Sequence, residues 1–363
     1  MTDKLQAFFE QYYPDVEYTP IIAATPAALR AALGGTQEPE PPEPPGPPEP
    51  PEPPEPPEPP EPPEPPPVPR AELLGLHIQN SVPGDMAYIE AVQPGAVKFV
   101  FGMERARLVK ALSPNTKTIY RQWVDHQGKY LEAADPHKGA RAYLETFLDS
   151  LIRNADVIDY VESLNETIAT DDIEGTKRAA AWEEAWCEEL AKEGYPARPL
   201  VLNVAVGNPQ HGDQTRLLIP AARAAAEAGG ALGYHAYWGA RPGYCTNDDA
   251  WQHYAGRALE SWDPVFVAAG IKLNYIFTEC GAVGISPDGH MNSGAGWKHN
   301  SCLNGDWGLY LTQLLYFRHK ILVWNATHGH RVEGTALFAI GGGNEWRYFE
   351  LGPQLAALAE AVK

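Results

Sequence analysis

The chain has 363 residues and a formal charge of −19 at pH 7, a length that suffices for one large core plus extras. The acidic balance argues against nucleic acid and anionic membranes as partners, although nine of the charges are glutamates of a single proline-rich stretch and the remainder carries −10. No run of eighteen apolar residues occurs, so no membrane insertion is expected.

Residues 1–36 hold two short helical patterns. Leu5, Phe8, Phe9 and Tyr12 recur at helical spacing. A second pattern starts at Thr25-Pro26, cap and first-turn residue, and stops at Gly34. This segment is too small to bury a core of its own and is expected to dock on the following domain or on a protein partner. Its first residues, MTDKLQAFFEQYYPD, lack a basic n-region and an apolar h-region, so a secretory signal is not expected. Residues 37–70 are a Glu-Pro-Pro repeat. Proline fixes φ and removes the amide donor, which leaves polyproline II, with the three-residue period of the repeat itself. The glutamates then line one edge and repel, stiffening a spacer of roughly 100 Å.

From Leu73 onward strand and helix patterns alternate eight times. The strand candidates are 73–79, 96–102, 117–124, 156–165, 200–208, 231–238, 272–280 and 335–341. Between them, Leu144, Phe147, Leu148, Leu151 and Ile152 form one apolar helix face and Trp182, Trp186 and Leu190 another, while Asp213, Asp248 and Asp306 stand at expected N-caps. Eight βα units in about 290 residues is the rhythm of an α/β fold of the (β/α)₈ TIM-barrel type over 71–363. The rival, a doubly wound open sheet, lacks a Gly-rich phosphate turn after the first strand. Of the four cysteines, Cys187 falls in a helical pattern, while Cys245 and Cys302 lie in neighbouring loops and could pair; no CxxC spacing marks a zinc site.

Parallel strands bring their C-terminal ends to one face. The residues gathered there are His77 and Gln79, then Arg121, Gln122 and Trp123, then Asn165 and Glu166. They are followed by Asn203 and Asn208, by His235, Tyr237 and Trp238, by Glu279 and, past the last strand, by Trp346. The set is rich in carboxylate, amide and aromatic groups. It holds neither a Ser-His-Asp arrangement nor an HExxH metal motif, so no metal and no cofactor are expected. It also offers no strand-end lysine suited to a Schiff base, and Asp125, His126 and His211 read as ordinary polar surface.

Asn165-Glu166 on the fourth strand, His235-Ala236-Tyr237 on the sixth and Glu279 on the seventh together resemble the clan A glycoside hydrolases, the retaining (β/α)₈ glycosidases. The resemblance implies a carbohydrate substrate, Glu166 as acid/base, Glu279 as nucleophile, Asn165 on the sugar 2-hydroxyl and Tyr237 beside the nucleophile. It departs from the clan at Thr167, where proline is frequent. It departs again at the second strand, whose usual arginine would have to be Arg105 or Arg121, and at the eighth strand, whose tryptophan would have to be Trp346. Physically, retention needs the two carboxyls about 5–5.5 Å apart. Glu279 must be ionised, with Arg121 and Tyr237 to hold it so, and Glu166 must start protonated, favoured by burial and by the Glu279 charge. Trp123, Trp238 and Trp346 would stack on sugar rings, with His77, Gln79 and His235 completing the binding set. The alternative is a non-catalytic carbohydrate-binding or structural barrel displayed on a polyproline stalk. Either role suits an extracellular or surface-associated setting.

Overall fold

The computed structural model describes residues 71–239, 250–285, 291–300 and 302–363. The expected N-terminal helical segment 1–36 and polyproline linker 37–70, together with Cys245 and Asp248, lie outside the described residues. Each of the eight apolar runs expected as strands coincides with one, although three strands extend beyond the expected bounds: Arg198–Val204 starts two residues early, Asn274–Ile285 runs five residues past its expected end and Val332–Ile340 starts three residues early. In chain order the strands are β1 (Leu74–Ile78), β2 (Ala96–Phe99), β3 (Lys117–Tyr120), β4 (Tyr160–Glu162), β5 (Arg198–Val204), β6 (Ala231–Trp238), β7 (Asn274–Ile285), β8 (Met291–Gly296) and β9 (Val332–Ile340). Strands β1 to β7 pair in sequence, all parallel, β9 joins β7, and β9 pairs back onto β1, closing an eight-stranded barrel. The ninth strand, β8, is an antiparallel arm on the extended end of β7. Its sequence, MNSGAG, has no β-branched or aromatic residue, which is why pattern reading passes over it.

Period two sets the barrel interior. Ala96, Ile119, Tyr160, Leu200, Ala231 and Ile276, one from each of six strands, form a fully buried apolar layer. Two residues further along the chain stand Lys98, Arg121, Glu162 and Thr278 on four of these lines, with Leu202 and Gly233 on the other two, so the next layer toward the C-terminal mouth is largely polar. Close strand approach also dictates Gly75 on β1, where a Cβ would meet the Ala96 carbonyl oxygen at 1.7 Å.

The principal helices are α1 (Asp85–Val92), α2 (Ala106–Leu112), α3 (Pro136–Glu145), α4 (Leu148–Asn154), α5 (Ile173–Lys192), α6 (Ile219–Glu227), α7 (Asp263–Ala268), α8 (Trp307–His328) and α9 (Leu355–Val362). Asp306 caps α8 through Leu309 N–H at 3.0 Å, as expected. Asp213 instead sits in the first turn of a short helix, Gly212–Arg216, that His211 precedes. The apolar face expected over 144–152 is split between α3 and α4, leaving Ile152 exposed. Trp182 and Trp186 of α5 stack at 5.9 Å between ring centres, and Tyr143 of α3 packs on both.

One carboxyl is sealed into the α5–sheet seam. Glu183 is 1% exposed, and one of its oxygens accepts from Ser163 Oγ at 2.8 Å and Leu202 N–H at 3.1 Å. Burial pushes this carboxyl up to about 8, against the pull of those two donors. A carboxyl raised in the folded state contributes stability that is complete below the ordinary glutamate range. That stability is lost as pH rises from there through about 8, at up to ~1.4 kcal/mol per pH unit. Glu183→Gln keeps an acceptor oxygen and cannot ionise. The Tm of the variant relative to the native protein should therefore climb between pH 5 and pH 9. Parallel Tm curves over that range would mean that Glu183 titrates as an ordinary carboxyl.

Candidate active site

At the C-terminal mouth the strand ends enclose a cavity of about 470 Å³. Its walls include ten residues expected from sequence: His77, Gln79, Arg121, Trp123, Asn165, Glu166, Asn208, Tyr237, Glu279 and Trp346. His235 lies just beneath, fully buried, its Nδ1 2.6 Å from Glu166 Oε1 and 3.5 Å from Glu279 Oε2. Trp238 is not at the cavity. It is buried on the far face of β6, where its Nε1–H donates to Gln313 of α8 at 2.8 Å and its ring stacks on Phe317. Alternation explains this: His235 and Tyr237 point inward, so Trp238 must point out to the helix layer.

Glu279 is the most enclosed of the cavity carboxyls. Parallel pairing sets His235 beside Glu279, and Tyr237, two residues on, reaches back to donate its hydroxyl to Glu279 Oε2 at 2.9 Å. Oε1 accepts from Lys98 Nζ at 3.1 Å and from Arg121 at 3.3 Å, with His77 Nδ1 at 3.8 Å. Burial alone would push this carboxyl up. The attraction of His235, Lys98, His77 and Arg121 outweighs it and holds the carboxyl well below the usual range. His77 is itself pulled well below its ordinary value, first by burial and then by Lys98. Burial, and then the Glu279 charge, keep the Tyr237 phenol protonated and therefore a donor.

Glu166 stands in a different setting. It follows β4 on a left-handed backbone (φ 51°), and its N–H donates to the Asn203 carbonyl at 3.1 Å. Its side chain is 39% exposed rather than buried as expected, and it faces the His235 ring. Ligand atoms of Glu166, His235 and Glu279 lie within 4.8 Å of one another. Three such atoms could hold a metal ion. The Glu279 oxygens, however, already accept from one phenol and two cationic side chains, whose charges oppose a second cation. Asn165 is oriented by Gln127, which accepts from its N–H at 2.9 Å and donates to its carbonyl. Its Oδ1 is buried at the cavity without a hydrogen-bond partner among the described residues. Trp123 is 50% exposed at the rim, with the Arg121 guanidinium 5.7 Å from its ring centre. Trp346 lies edge-on to Phe338 of β9, which lines the cavity with it.

Two functional-looking residues escaped sequence reading. Lys98 of β2 is fully buried and lies 3.0 Å from Glu162 and 3.1 Å from Glu279. It takes the position sought for a second-strand arginine, whereas Arg105 pairs with Asp85 at 2.8 Å away from the cavity. Glu162 is the fully buried third carboxylate. The available signal was one cation inside the apolar run Ala96–Phe99, in phase with the inward-facing Ala96. Cys302 is disulfide-bonded and Cys187 and Cys280 are free thiols; the expected partner Cys245 falls among the undescribed residues.

No protein-family model matches the chain, and no curated protein matches it. Among solved structures it is similar to XacCel5A in complex with cellopentaose (12% identity over 80% of this chain and 99% of that one, TM-score 0.48). It is also similar to a glycoside hydrolase family 18 N-acetylglucosaminidase from Paenibacillus barengoltzii (11%, 80% and 99%, TM-score 0.45). A third is the mannotriose complex of Thermomonospora fusca β-mannanase (13%, 77% and 82%, TM-score 0.43).

Replacing Lys98 by methionine leaves Glu162 and Glu279 buried without their shared cation, a loss of ~3–5 kcal/mol. A depressed carboxyl contributes stability above the ordinary glutamate range that is lost as pH falls below it. With Lys98 gone the folded-state carboxyl is less depressed, so less stability is lost on acidification and the gap between variant and native protein should narrow from pH 7 to pH 4. Urea unfolding of Lys98→Met at pH 7 and pH 4 checks both points, and native-like midpoints at both would contradict the ion cluster.

Proposed function

We propose that the protein is a retaining glycoside hydrolase that cleaves O-glycosidic bonds of a poly- or oligosaccharide by double displacement. The observation that carries this reading is the pairing of two carboxylates from opposite strand ends. Their oxygens lie within 4.8 Å, and one is buried among donors while the other is open to solvent. A separation of about 5–5.5 Å between carboxyls leaves room for a sugar carbon but not for an intervening water, as double displacement requires.

In this mechanism Glu279 attacks the anomeric carbon. Tyr237, Arg121 and Lys98 keep it ionised and fix its oxygens. Glu166 gives its proton to the leaving oxygen, and His235 at 2.6 Å orients its carboxyl. Once the leaving group has gone, Glu166 takes a proton from water, and that water releases the glycosyl group from Glu279. The unpartnered Asn165 Oδ1 is an acceptor for a sugar hydroxyl beside the nucleophile, with Gln79 and Asn208 as further polar contacts. Trp123 and Trp346 offer ring faces or edges to the sugar.

A non-catalytic carbohydrate-binding barrel is the other reading. It gives no reason to concentrate a buried lysine, an arginine and a tyrosine on one carboxylate, since desolvating those charges costs stability that sugar binding does not need. A panel of aryl glycosides and polysaccharides separates the two, because a binding module cleaves none of them. Glu279→Ala should abolish turnover of every substrate, and azide should restore it on an activated aryl glycoside with inverted product configuration. Glu166→Ala should lose ~10²–10⁴-fold on poor leaving groups and far less on good ones. EDTA should leave the native rate unchanged. Wild-type rates in both carboxylate variants would refute the assignment.

A further inference from the structure

Strand β5 loses its register with β6 between Val201 and Val204. The two residues in the break, Leu202 (φ 74°) and Asn203 (φ 21°), both have left-handed backbone without being glycine. Such a conformation costs of order 1–3 kcal/mol per residue and persists only where its surroundings impose it. Here the surroundings are the two strand ends that carry the carboxylates.

Asn203 is fully buried and every polar group of its side chain is engaged. Its Nδ2 donates to Ser163 Oγ at 3.1 Å and to the Leu200 carbonyl at 3.0 Å, and its Oδ1 accepts from Thr278 Oγ1 at 3.4 Å. Its own carbonyl accepts the Glu166 N–H at 3.1 Å. Ser163 stands three residues before Glu166, and Thr278 immediately precedes Glu279. One side chain thus ties β4, β5 and β7 together just beneath both carboxylates. Gly233 of β6 keeps space for it, because a Cβ there would lie 2.0 Å from Asn203 Oδ1. The chain of donors continues outward: Ser163 Oγ–H passes to Glu183 of α5, whose same oxygen takes the Leu202 N–H and so holds the break from the helix side.

We infer that Asn203 is a positioning residue that sets the placement of Glu166 against Glu279, with Ser163 and Glu183 as its outer anchor. The inference rests on the glycosidase reading for its catalytic meaning, but its geometric content stands apart from it. Asn203→Ala removes the side-chain ties and leaves the backbone atoms. Freed from them, Glu166 shifts, and misplacement by about 1 Å can cost ~10²-fold in rate. The loss should appear in kcat on glycosides with poor leaving groups, which need the proton, and much less on a 2,4-dinitrophenyl glycoside, which does not, with KM little changed. Ser163→Ala, a gentler change that removes the Nδ2 acceptor, should show the same skew at smaller size. A role in folding alone would lower both substrates equally through the folded fraction. The crystal structure of either variant gives a readout that needs no activity: the Glu166–Glu279 oxygens, which lie within 4.8 Å of one another in the native protein, should move apart beyond that bound. Equal losses on the two substrates, or an unchanged separation in the variant crystal, would overturn the positioning role. A native protein that cleaves nothing would defeat the glycosidase reading, and the crystal measurement would still decide the role of Asn203.

Discussion

The polar layer of the barrel depends on one ammonium group shared between two buried carboxylates. Lys98 carries no solvent-exposed surface and lies 3.0 Å from Glu162 and 3.1 Å from Glu279. Each ion taken out of water costs several kcal/mol, a cost offset only if partners of opposite charge replace the lost hydration. Three strands supply this cluster, β2, β4 and β7, so its charge balance is also a cross-barrel tie. Arg121, just past β3, adds the second positive charge against the same Glu279 oxygen. Two carboxylates and two cations then sum to zero. That neutrality lets an ionised glutamate sit 7% exposed without being driven to protonate.

The second carboxylate has no such enclosure, and the contrast between the two gives the site its chemical direction. Glu279 is held on both oxygens by Lys98 of β2, Arg121 just past β3 and Tyr237 of β6, whereas Glu166 is held mainly through its backbone and a single imidazole contact. A rigid, charged group suits attack on carbon, and a group with one free side suits giving a proton and later taking one back. The left-handed backbone at Glu166, Leu202 and Asn203 is the strain that accompanies this placement, and it lies in the two segments that meet at Glu166.

How much of this could be read from sequence follows from what leaves a local trace. All eight barrel strands were legible because each is a short apolar run between helical patterns. Glu166 and Glu279 were legible because each ends such a run at the side of the barrel where chemistry collects. Trp238 was misread by counting an aromatic at a strand end without applying alternation; with His235 and Tyr237 pointing inward, period two already sends it to the helix layer, where Gln313 meets it. Lys98 was passed over because a lone cation in an apolar run looks like a snorkelling edge residue until the strand is known to be central in a closed barrel. Glu183 and the break at Leu202–Asn203 left no pattern: one is a glutamate among several on α5, and the other is a backbone conformation fixed by contacts from β4, β6, β7 and α5. The hairpin arm β8 has the composition of a loop and is a strand only because β7 overshoots the barrel and offers it an edge.

The order of the interior layers explains why these charges are strong enough to act. Below the polar layer lies a ring of Ala96, Ile119, Tyr160, Leu200, Ala231 and Ile276 side chains that excludes water from the barrel floor. Above it, Val100, Val206, Val283, Phe338 and Phe349 line much of the cavity with apolar surface. Charges held between two apolar zones are poorly screened, so a fixed cation at about 3 Å perturbs a carboxylate far more than it would at the protein surface. The same low screening makes any unpaired member of the cluster expensive. Removing one of these charges leaves another buried without its partner. The apolar floor therefore does more than fill the barrel, since between it and the apolar rim ordinary lysine and arginine side chains hold one carboxyl well below the usual range, facing a freer one.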